Sequence, residues 1–428
     1  MPATLDLPSE TSAIDSFGFD VSGWLWLGDH QADIAAVEAR AGDILLGEAV
    51  ALSLRPDVTA ALGLSAQALT GFTLRARHPL AKPGGTFELC LRARFRDGTR
   101  TEVLVRKKIA CLASHVHPLG ALRAGLSPAA RGLEIGAHAL PTPGLAPFFT
   151  DTVATYAGSA GRVDFLADAR ALPIPGDTLD YLCSSHVIEH IPDPLAALHE
   201  WHRVLRPGGL LYLVAPDKRF TFDAPRPVTS VDHILRNFHE PSDAADTAAH
   251  IDEFIYQTDW EKLQPGTPPL EKPLRQAASR DHYLREFHAG RMIDIHFHTF
   301  TPDSLHDLLC AAGLIDGLAP LFELVARAER YPPERTDGIA FLLCKRASAA
   351  PAPHALETAV LGHADPSIAP LPLVCPITLS PLRATTDAAG ERGLNSATGG
   401  HRYPYAGSLP SLLTPLDSRP VRPWLRRT

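Results

Sequence analysis

From Ser185 to His190 the chain reads Ser-His-Val-Ile-Glu-His, which sets two imidazoles around one carboxylate. Imidazole titrates near neutral pH and can take a proton from a reacting hydroxyl, and a neighbouring carboxylate can orient it. His190 is therefore a candidate general base, with His186 or Glu189 to orient it. The plainer alternative is that Glu189 and His190 pin a loop by hydrogen bonds while His186 meets a ligand or the backbone. A second tract is dense in the same chemistry: Asp232-His233, His239-Glu240, His250-Ile251-Asp252-Glu253, His282, His288 and His296-Phe297-His298. In an extended stretch His296 and His298 share one face, which makes either a metal half-site or a polar lining. After Asp217, Lys218, Arg219 and Arg226 add donors suited to a negatively charged ligand.

Residues 180–219 contain the elements that must hold these groups. Asp180–Ser184 is a short apolar run, followed by a polar loop, Ser185–Asp193. Asp193 then has the character of an N-cap, with Pro194 at the first helical position. The predicted inward stripe is Leu195, Leu198, His202 and Leu205, and the helix stops at Arg206-Pro207-Gly208-Gly209. A second apolar strand, Leu210–Ala215, ends in Pro216-Asp217-Lys218-Arg219. Strand, helix, strand is the crossover unit of a parallel sheet. Ligands of such sheets sit at the carboxyl ends of the strands, which is where Ser185, His186, Glu189, His190 and Asp217 fall.

This stretch resembles the central part of class I S-adenosylmethionine (SAM)-dependent methyltransferases. It is similar to the type 11-like subgroup that carries HVIEH, then RVLRPGG, then PDKR. Arg131-Gly132-Leu133-Glu134-Ile135-Gly136 resembles the family's first strand and glycine turn, where backbone passes close to the methionine part of SAM. Val163–Ala169 with Leu172-Pro173 resembles its third strand and adenine loop. Phe322–Glu329 and Ile339–Arg346, after a helix over Pro302–Ala312, have the spacing of its closing antiparallel pair. The likeness covers roughly residues 113–346 in the family's order. It implies SAM as cofactor, held by Glu134, Gly136, Asp151, Asp168, Ala169 and Ser185, with His190, His186 and Glu189 catalytic. Asp151 is assigned the ribose hydroxyls, with Asp164 as competitor. The family's G-x-G-x-G loop is reduced here to Gly136, then two prolines and Gly144. SAM has no pyrophosphate to cradle, so the loss reads as variation. Related quinone O-methyltransferases use a Glu-His pair here with a divalent metal. His186 replaces the first acid of that set, and no metal is expected.

Composition sets wider bounds. A net charge of −8 over 428 residues argues against a general nucleic-acid binder. No apolar run approaches the ~18 residues that would cross a bilayer. The first residues lack a signal-peptide pattern, so a cytoplasmic protein is expected. Six scattered cysteines show no disulfide or CxxC spacing.

The expected architecture is α/β: a Rossmann-like SAM methyltransferase sheet flanked by an N-terminal β-sandwich and a small C-terminal β-rich module. Short strand-like runs from Gly23-Trp24-Leu25-Trp26 to Thr101–Ile109, with a hairpin turn at Arg96–Thr99, place the sandwich at 14–112. It resembles a β-domain attached to bacterial glycan-modifying enzymes. Trp24 and Trp26 either stack on a sugar face or fill the sandwich core. The methyltransferase domain is placed at 113–346, with 220–301 as a substrate cap, and 347–369 as an Ala/Pro-rich linker. Residues 370–416 resemble a zinc-ribbon-derived methyltransferase activator. Its Cys-Pro-x-Cys knuckle reads Cys375-Pro376-Ile377-Thr378 here, and no later cysteine follows, so zinc cannot find four ligands.

Two functions are consistent with this sequence. One is O-methylation of a glycan, glycolipid or related small acceptor in surface-polysaccharide metabolism. The other is a catalytically silent scaffold of the same fold.

Overall fold

The computed structural model describes residues 3–413 except 10–12, 15, 17–18, 79–80, 82–83, 113–116, 139, 157–158, 241–243, 334, 347–357, 388–389 and 407. The basic stretch from Arg419 to Arg427 lies outside the described residues, as does the first half of the expected linker. The chain divides into two compact units. One comprises residues 1–124 with 140–145 and 330–336, and the other comprises the remainder.

The first unit is a β-sandwich. One sheet orders Ala3–Leu7, Phe19–Leu25, Leu69–Ala76 and Ser53–Leu54. The other orders Ala13–Ile14, Thr101–Cys111, Thr86–Phe95, Ile34–Ala41 and Ile44–Ala49. Alternate residues of both sheets form one core, with Phe19, Val21, Leu25, Phe72 and Leu74 from the first and Val37, Leu89, Leu91 and Phe95 from the second. The sandwich begins before residue 14, because Ala3–Leu7 pairs with Phe19–Leu25 as an edge strand. Trp24 and Trp26 are half-buried and lie outside that core, since Val21, Gly23 and Leu25 take the inward positions. The expectation of a core-filling tryptophan is therefore corrected by the pleat itself.

In the second unit, β1 (Gly132–Ile135), β2 (Phe148–Asp151), β3 (Phe165–Leu166), β4 (Leu179–Ser185), β5 (Leu205–Pro216), β6 (Phe322–Tyr331) and β7 (Gly338–Lys345) form one sheet. The order is β3-β2-β1-β4-β5-β7-β6. The first five strands pair in parallel, and β7 is antiparallel to β5. This is the expected Rossmann-like sheet with its reversed closing pair. Its middle strands are apolar along their length, as burial on both faces requires.

Helix α1 (Pro194–Val204) crosses from β4 to β5, and Asp193 caps it by accepting from the Ala196 amide at 3.0 Å. Its inward residues are Leu195, Leu198, Trp201 and Val204. Trp201 takes the place predicted for His202, which lies half-buried with its ring edge-on to Phe322. Burial lowers the His202 pKa to about 3. The strand after α1 starts at Leu205, five residues earlier than the apolar run suggests, because Pro207-Gly208-Gly209, with Gly208 at φ +78°, is taken up as a register shift against β4 without ending the strand.

The insertion before β6 contributes α2 (Val231–His239), α3 (Ala244–Gln257) and α4 (Lys272–His288). It carries a small core of its own, including Ile251, Phe254, Trp260, Ile295 and Phe297. Helix α5 (Pro302–Ala311) follows, opened by a Thr301–Ser304 capping box. No helix among the described residues is long and apolar enough to cross a membrane.

The crossovers from β1 to β2 and from β2 to β3 contain no helix among the described residues. The C-terminal segment packs there instead. Its four-stranded sheet comprises Leu382–Thr386, Arg392–Ser396, Arg402–Ala406 and Leu409–Pro410. Leu166 of β3 bridges Ser411 in parallel, and the Leu412 amide donates to the Leu166 carbonyl at 2.7 Å. Leu371, Leu373, Leu394 and Leu412 belong to the same hydrophobic core as the main sheet. The second half of the expected linker is part of this segment, because Val360–Leu361 pairs with Leu371–Pro372. Cys375 accepts from the Thr378 amide and lies 3.1 Å from the Tyr403 hydroxyl. A chain of hydroxyls, Thr378 to Ser380 (2.8 Å) to Ser396 (2.9 Å), continues beside it. One thiol and three hydroxyls are not a zinc ligand set.

Burying Leu412 completely stabilises the main sheet through its shared core. Leu412→Ala should cost about 2–5 kcal/mol. Urea melting monitored by Trp201 fluorescence should show the loss in the transition of the whole unit. A separate, earlier transition would mean the segment folds independently.

Candidate active site

The sheet order reverses between β1 and β4, so a crevice opens at their carboxyl ends. Registers Ile135↔Thr150 and Ile135↔Ser184 bring Gly136, Asp151 and Ser185 level there. Gly136 has φ +68°, and its amide donates to the Thr150 carbonyl at 3.0 Å. A Cβ at Gly136 would lie 2.5 Å from Val187 Cγ2, so the glycine is required both by its backbone and by the loop above it. Glu134 is buried within β1. Asp151 turns one oxygen back to the Thr152 amide (2.6 Å) and the Val153 amide (3.4 Å).

Beyond Ser185, His186 adopts φ +55° and its amide donates to Val214. The chain then makes a single 3-10 turn, Ile188–His190, which buries Glu189 completely. Neither carboxylate oxygen of Glu189 has a hydrogen-bond partner among the described residues. Three imidazole nitrogens surround Oε1: His190 Nε2 at 3.8 Å, His186 Nδ1 at 3.9 Å and His296 Nε2 at 4.0 Å. Two of these rings are held from behind by carboxylates. His190 Nδ1 is 2.9 Å from Asp294, and His296 Nδ1 is 2.6 Å from Asp223.

A buried carboxylate with no donor is costly, so this arrangement calls for a proton or cation among the four groups. Glu189, His190 and His296 have ligand atoms within 4.8 Å of one another, close enough to hold a metal ion. Burial lowers the His190 pKa, but the Asp294 hydrogen bond and the charges of Glu189, Asp294 and Asp223 outweigh it and leave the pKa raised. For Asp223 burial raises the pKa, and His296 and Arg226 bring it below the usual carboxylate value.

The structure thus brings His186, Glu189 and His190 together as expected and adds His296. It also separates His296 from His298, whose ring faces His233 and His250 instead. The shared face predicted for the two histidines does not form, since residues 291–299 are irregular rather than a strand. Asp223 and Asp294 were not legible as site residues.

Two expected binding residues are engaged internally. Asp168 forms a bidentate pair with Arg170 (2.7 and 3.0 Å) and orders the loop that follows β3. Ala169 is buried, and its carbonyl accepts from Trp201 Nε1 at 3.0 Å. Glu200 and Arg203 of α1 bind the same loop at Leu172 and Ile174. Asp164 accepts from the Phe149 amide at 2.7 Å, which leaves Asp151 as the acid at the end of β2. The cations expected to meet an anionic ligand are also committed. Arg219 pairs with Asp217, Lys218 donates to the Ala224 carbonyl, and fully buried Arg226 bridges Asp223 and Glu253.

Comparison with known proteins agrees with this geometry. Residues 149–213 match the family described as methyltransferase domain. Ubiquinone biosynthesis O-methyltransferase of Parvibaculum lavamentivorans is 44% identical over 45 residues, 10% of this chain and 18% of that protein. Demethylmenaquinone methyltransferase of Lysinibacillus sphaericus is 43% identical over 44 residues, 10% of this chain and 19% of that protein. The chain thus spans less than a fifth of the length of these relatives. Among solved structures, an S-adenosylmethionine-dependent methyltransferase from Mesorhizobium loti aligns over 53% of this chain and 96% of its own. It does so with a TM-score of 0.28 and 15% identity.

The contact beneath the site is testable. Gly136→Ala should lower stability by about 1–2 kcal/mol, from the left-handed backbone and the clash with Val187 together. In the Gly136→Ala/Val187→Ala double variant the clash is relieved, so the combined loss in denaturant melts should be smaller than the sum of the single losses. Strict additivity would show that Val187 already yields.

Proposed function

We propose that the chain is a SAM-dependent methyltransferase that methylates a hydroxyl of a glycan, glycolipid or related small acceptor. The observation that carries this reading is the buried, donor-free Glu189 ringed by three imidazoles beside the crevice between β1 and β4. The residues at the strand ends fit the cofactor. Gly136 offers backbone with no side chain, and Asp151 Oδ2 makes no hydrogen bond among the described residues. SAM, when bound, supplies a methyl group already activated on a sulfonium.

The chain's own part is to orient the acceptor and take its proton, and orientation alone can contribute about 7–11 kcal/mol. With Asp294 at Nδ1, the His190 ring is fixed so that Nε2 carries the lone pair toward Glu189. In this reading the acceptor's proton goes to Nε2, and Glu189 and Asp294 balance the imidazolium that results. His296, held by Asp223, lines the other side together with Phe222, whose ring centroid is 4.7 Å away. The insertion 220–301 acts as the cap over the acceptor. Residues 358–413 serve as a fused activator-like module that works by packing and without zinc.

The outward-facing Trp24 and Trp26 support a carbohydrate acceptor and a role in surface-polysaccharide metabolism. A phenolic acceptor is the second reading, favoured by the quinone-pathway enzymes among the relatives and by the aromatic lining at Phe222.

Calorimetry with folded protein should detect SAM and its demethylated product at micromolar affinity. Failure to detect either would leave the silent scaffold as the function.

With an acceptor in hand, His190→Ala should keep cofactor affinity within a few-fold and cut turnover by about 10²–10⁴-fold. Loss of cofactor binding in that variant would make His190 a structural residue of the loop.

A further inference from the structure

A second histidine cluster lies apart from the ring around Glu189. His233 of α2 and His250 of α3 face each other with their Nε2 atoms 3.0 Å apart. Asp246, one turn before His250 on α3, places Oδ1 3.8 Å from His233 Nε2 and Oδ2 3.7 Å from His250 Nε2. His298 completes the group, and its ring centroid is 5.4 Å from that of His250 and 6.2 Å from that of His233. The ligand atoms of the three histidines lie within 4.8 Å of one another.

His298 is fully buried, and its two nitrogens are not equivalent. Nε2–H donates to the Pro192 carbonyl at 3.1 Å, and a carbonyl can only accept. The proton therefore sits on Nε2, and Nδ1 keeps its lone pair. Nδ1 is buried with no hydrogen-bond partner among the described residues. A backbone carbonyl that fixes the tautomer of an imidazole and leaves the other nitrogen free is the usual support of a metal-ligating histidine.

From this geometry we propose that His233, His250, His298 and Asp246 form a binding site for a divalent cation of the zinc class. Three imidazoles and one carboxylate make a tetrahedral donor set. Zinc–nitrogen bonds of about 2.0–2.1 Å imply neighbouring ligand atoms about 3.3 Å apart, a value bracketed by the distances of 3.0, 3.7 and 3.8 Å found here. The Asn237 amide, 3.1 Å from His233 Nε2 and donating to Asp246 Oδ2, is the group the cation would displace from His233.

The site has a structural purpose. It joins α2, α3 and the segment ending at His298, whose amide donates to the Glu189 carbonyl. A cation there fastens the insertion to the loop that carries Glu189 and fixes His296 two residues away. No step of the proposed reaction passes through it.

The test uses untagged full-length protein, stripped with chelator and titrated with Co2+ and Zn2+. Wild type should bind one equivalent at this site, show the strong visible bands of tetrahedral Co2+, and gain about 5 °C in melting temperature at saturating Zn2+. His233→Gln/His250→Gln should lose the bands and weaken Zn2+ binding at least 100-fold while keeping the far-ultraviolet dichroism of the apoprotein. Glu189→Gln/His296→Gln should retain both the bands and the thermal shift, which separates this site from the ring around Glu189. The proposal is overturned by absence of tetrahedral bands in wild type. It is equally overturned if the bands survive His233→Gln/His250→Gln, or if they vanish only in Glu189→Gln/His296→Gln.

Discussion

The carbonyl oxygen of Glu189 accepts two amides, from Phe297 at 2.8 Å and His298 at 3.1 Å, and much of the second unit depends on that one atom. Its own side chain is buried on the sheet side, under the histidines. Its backbone faces the insertion and sets where residues 296–298 can lie. The two bonds come from consecutive amides and hold the backbone at residues 297 and 298 against the Glu189 loop. The consequence is geometric: His296 goes to the carboxylate of Glu189 and His298 goes to the histidines of α2 and α3. Phe297 turns into the insertion's core between them. A polar anchor therefore decides the fate of side chains that hydrophobic packing alone would not distinguish.

Part of this was legible in the sequence, and for definable reasons. The capped helix after Asp193, the apolar strands around it and the Ser185–His190 loop all obey local rules, so the parallel sheet and its loaded strand ends could be read directly. The errors came where two residues compete for one role. Trp201 displaces His202 because the larger apolar ring fills the core and its N–H finds the Ala169 carbonyl. Asp168 pairs with Arg170, a contact that no spacing rule reveals. Arg226 looks from sequence like a free cation, but it is fully buried between Asp223 and Glu253. The partners Asp294 and Asp223 reach His190 and His296 from elements distant in the chain or set by irregular backbone, and sequence carries no signal for them.

The sheet itself is lopsided. On the β4–β5 side a long amphipathic helix covers it in the ordinary way, and α1 also grips the loop after β3 through Glu200 and Arg203. On the β1–β3 side the crossovers are short and apolar surface would otherwise stay open. The C-terminal segment closes that side, bonding its Leu412 amide to β3 and so covering an exposed edge strand. Cys375 and the hydroxyls of Thr378, Ser380 and Ser396 keep the knuckle in shape with ordinary hydrogen bonds. The segment's worth to the protein lies in its apolar face.

That closure fixes an order of events in the cell. Leu166 meets Ser411 and Leu412 across more than 240 intervening residues. A ribosome emits residues from the N-terminus at roughly 5–20 per second, so the β1–β3 side waits for many seconds with no cover. The strands of the sandwich have all emerged by residue 111, although residues 330–336 join that unit later, with Arg335 reaching Asp20. The strands of the sandwich can therefore pair during translation, whereas the β1–β3 side of the second unit is covered only once the C-terminal segment has been made.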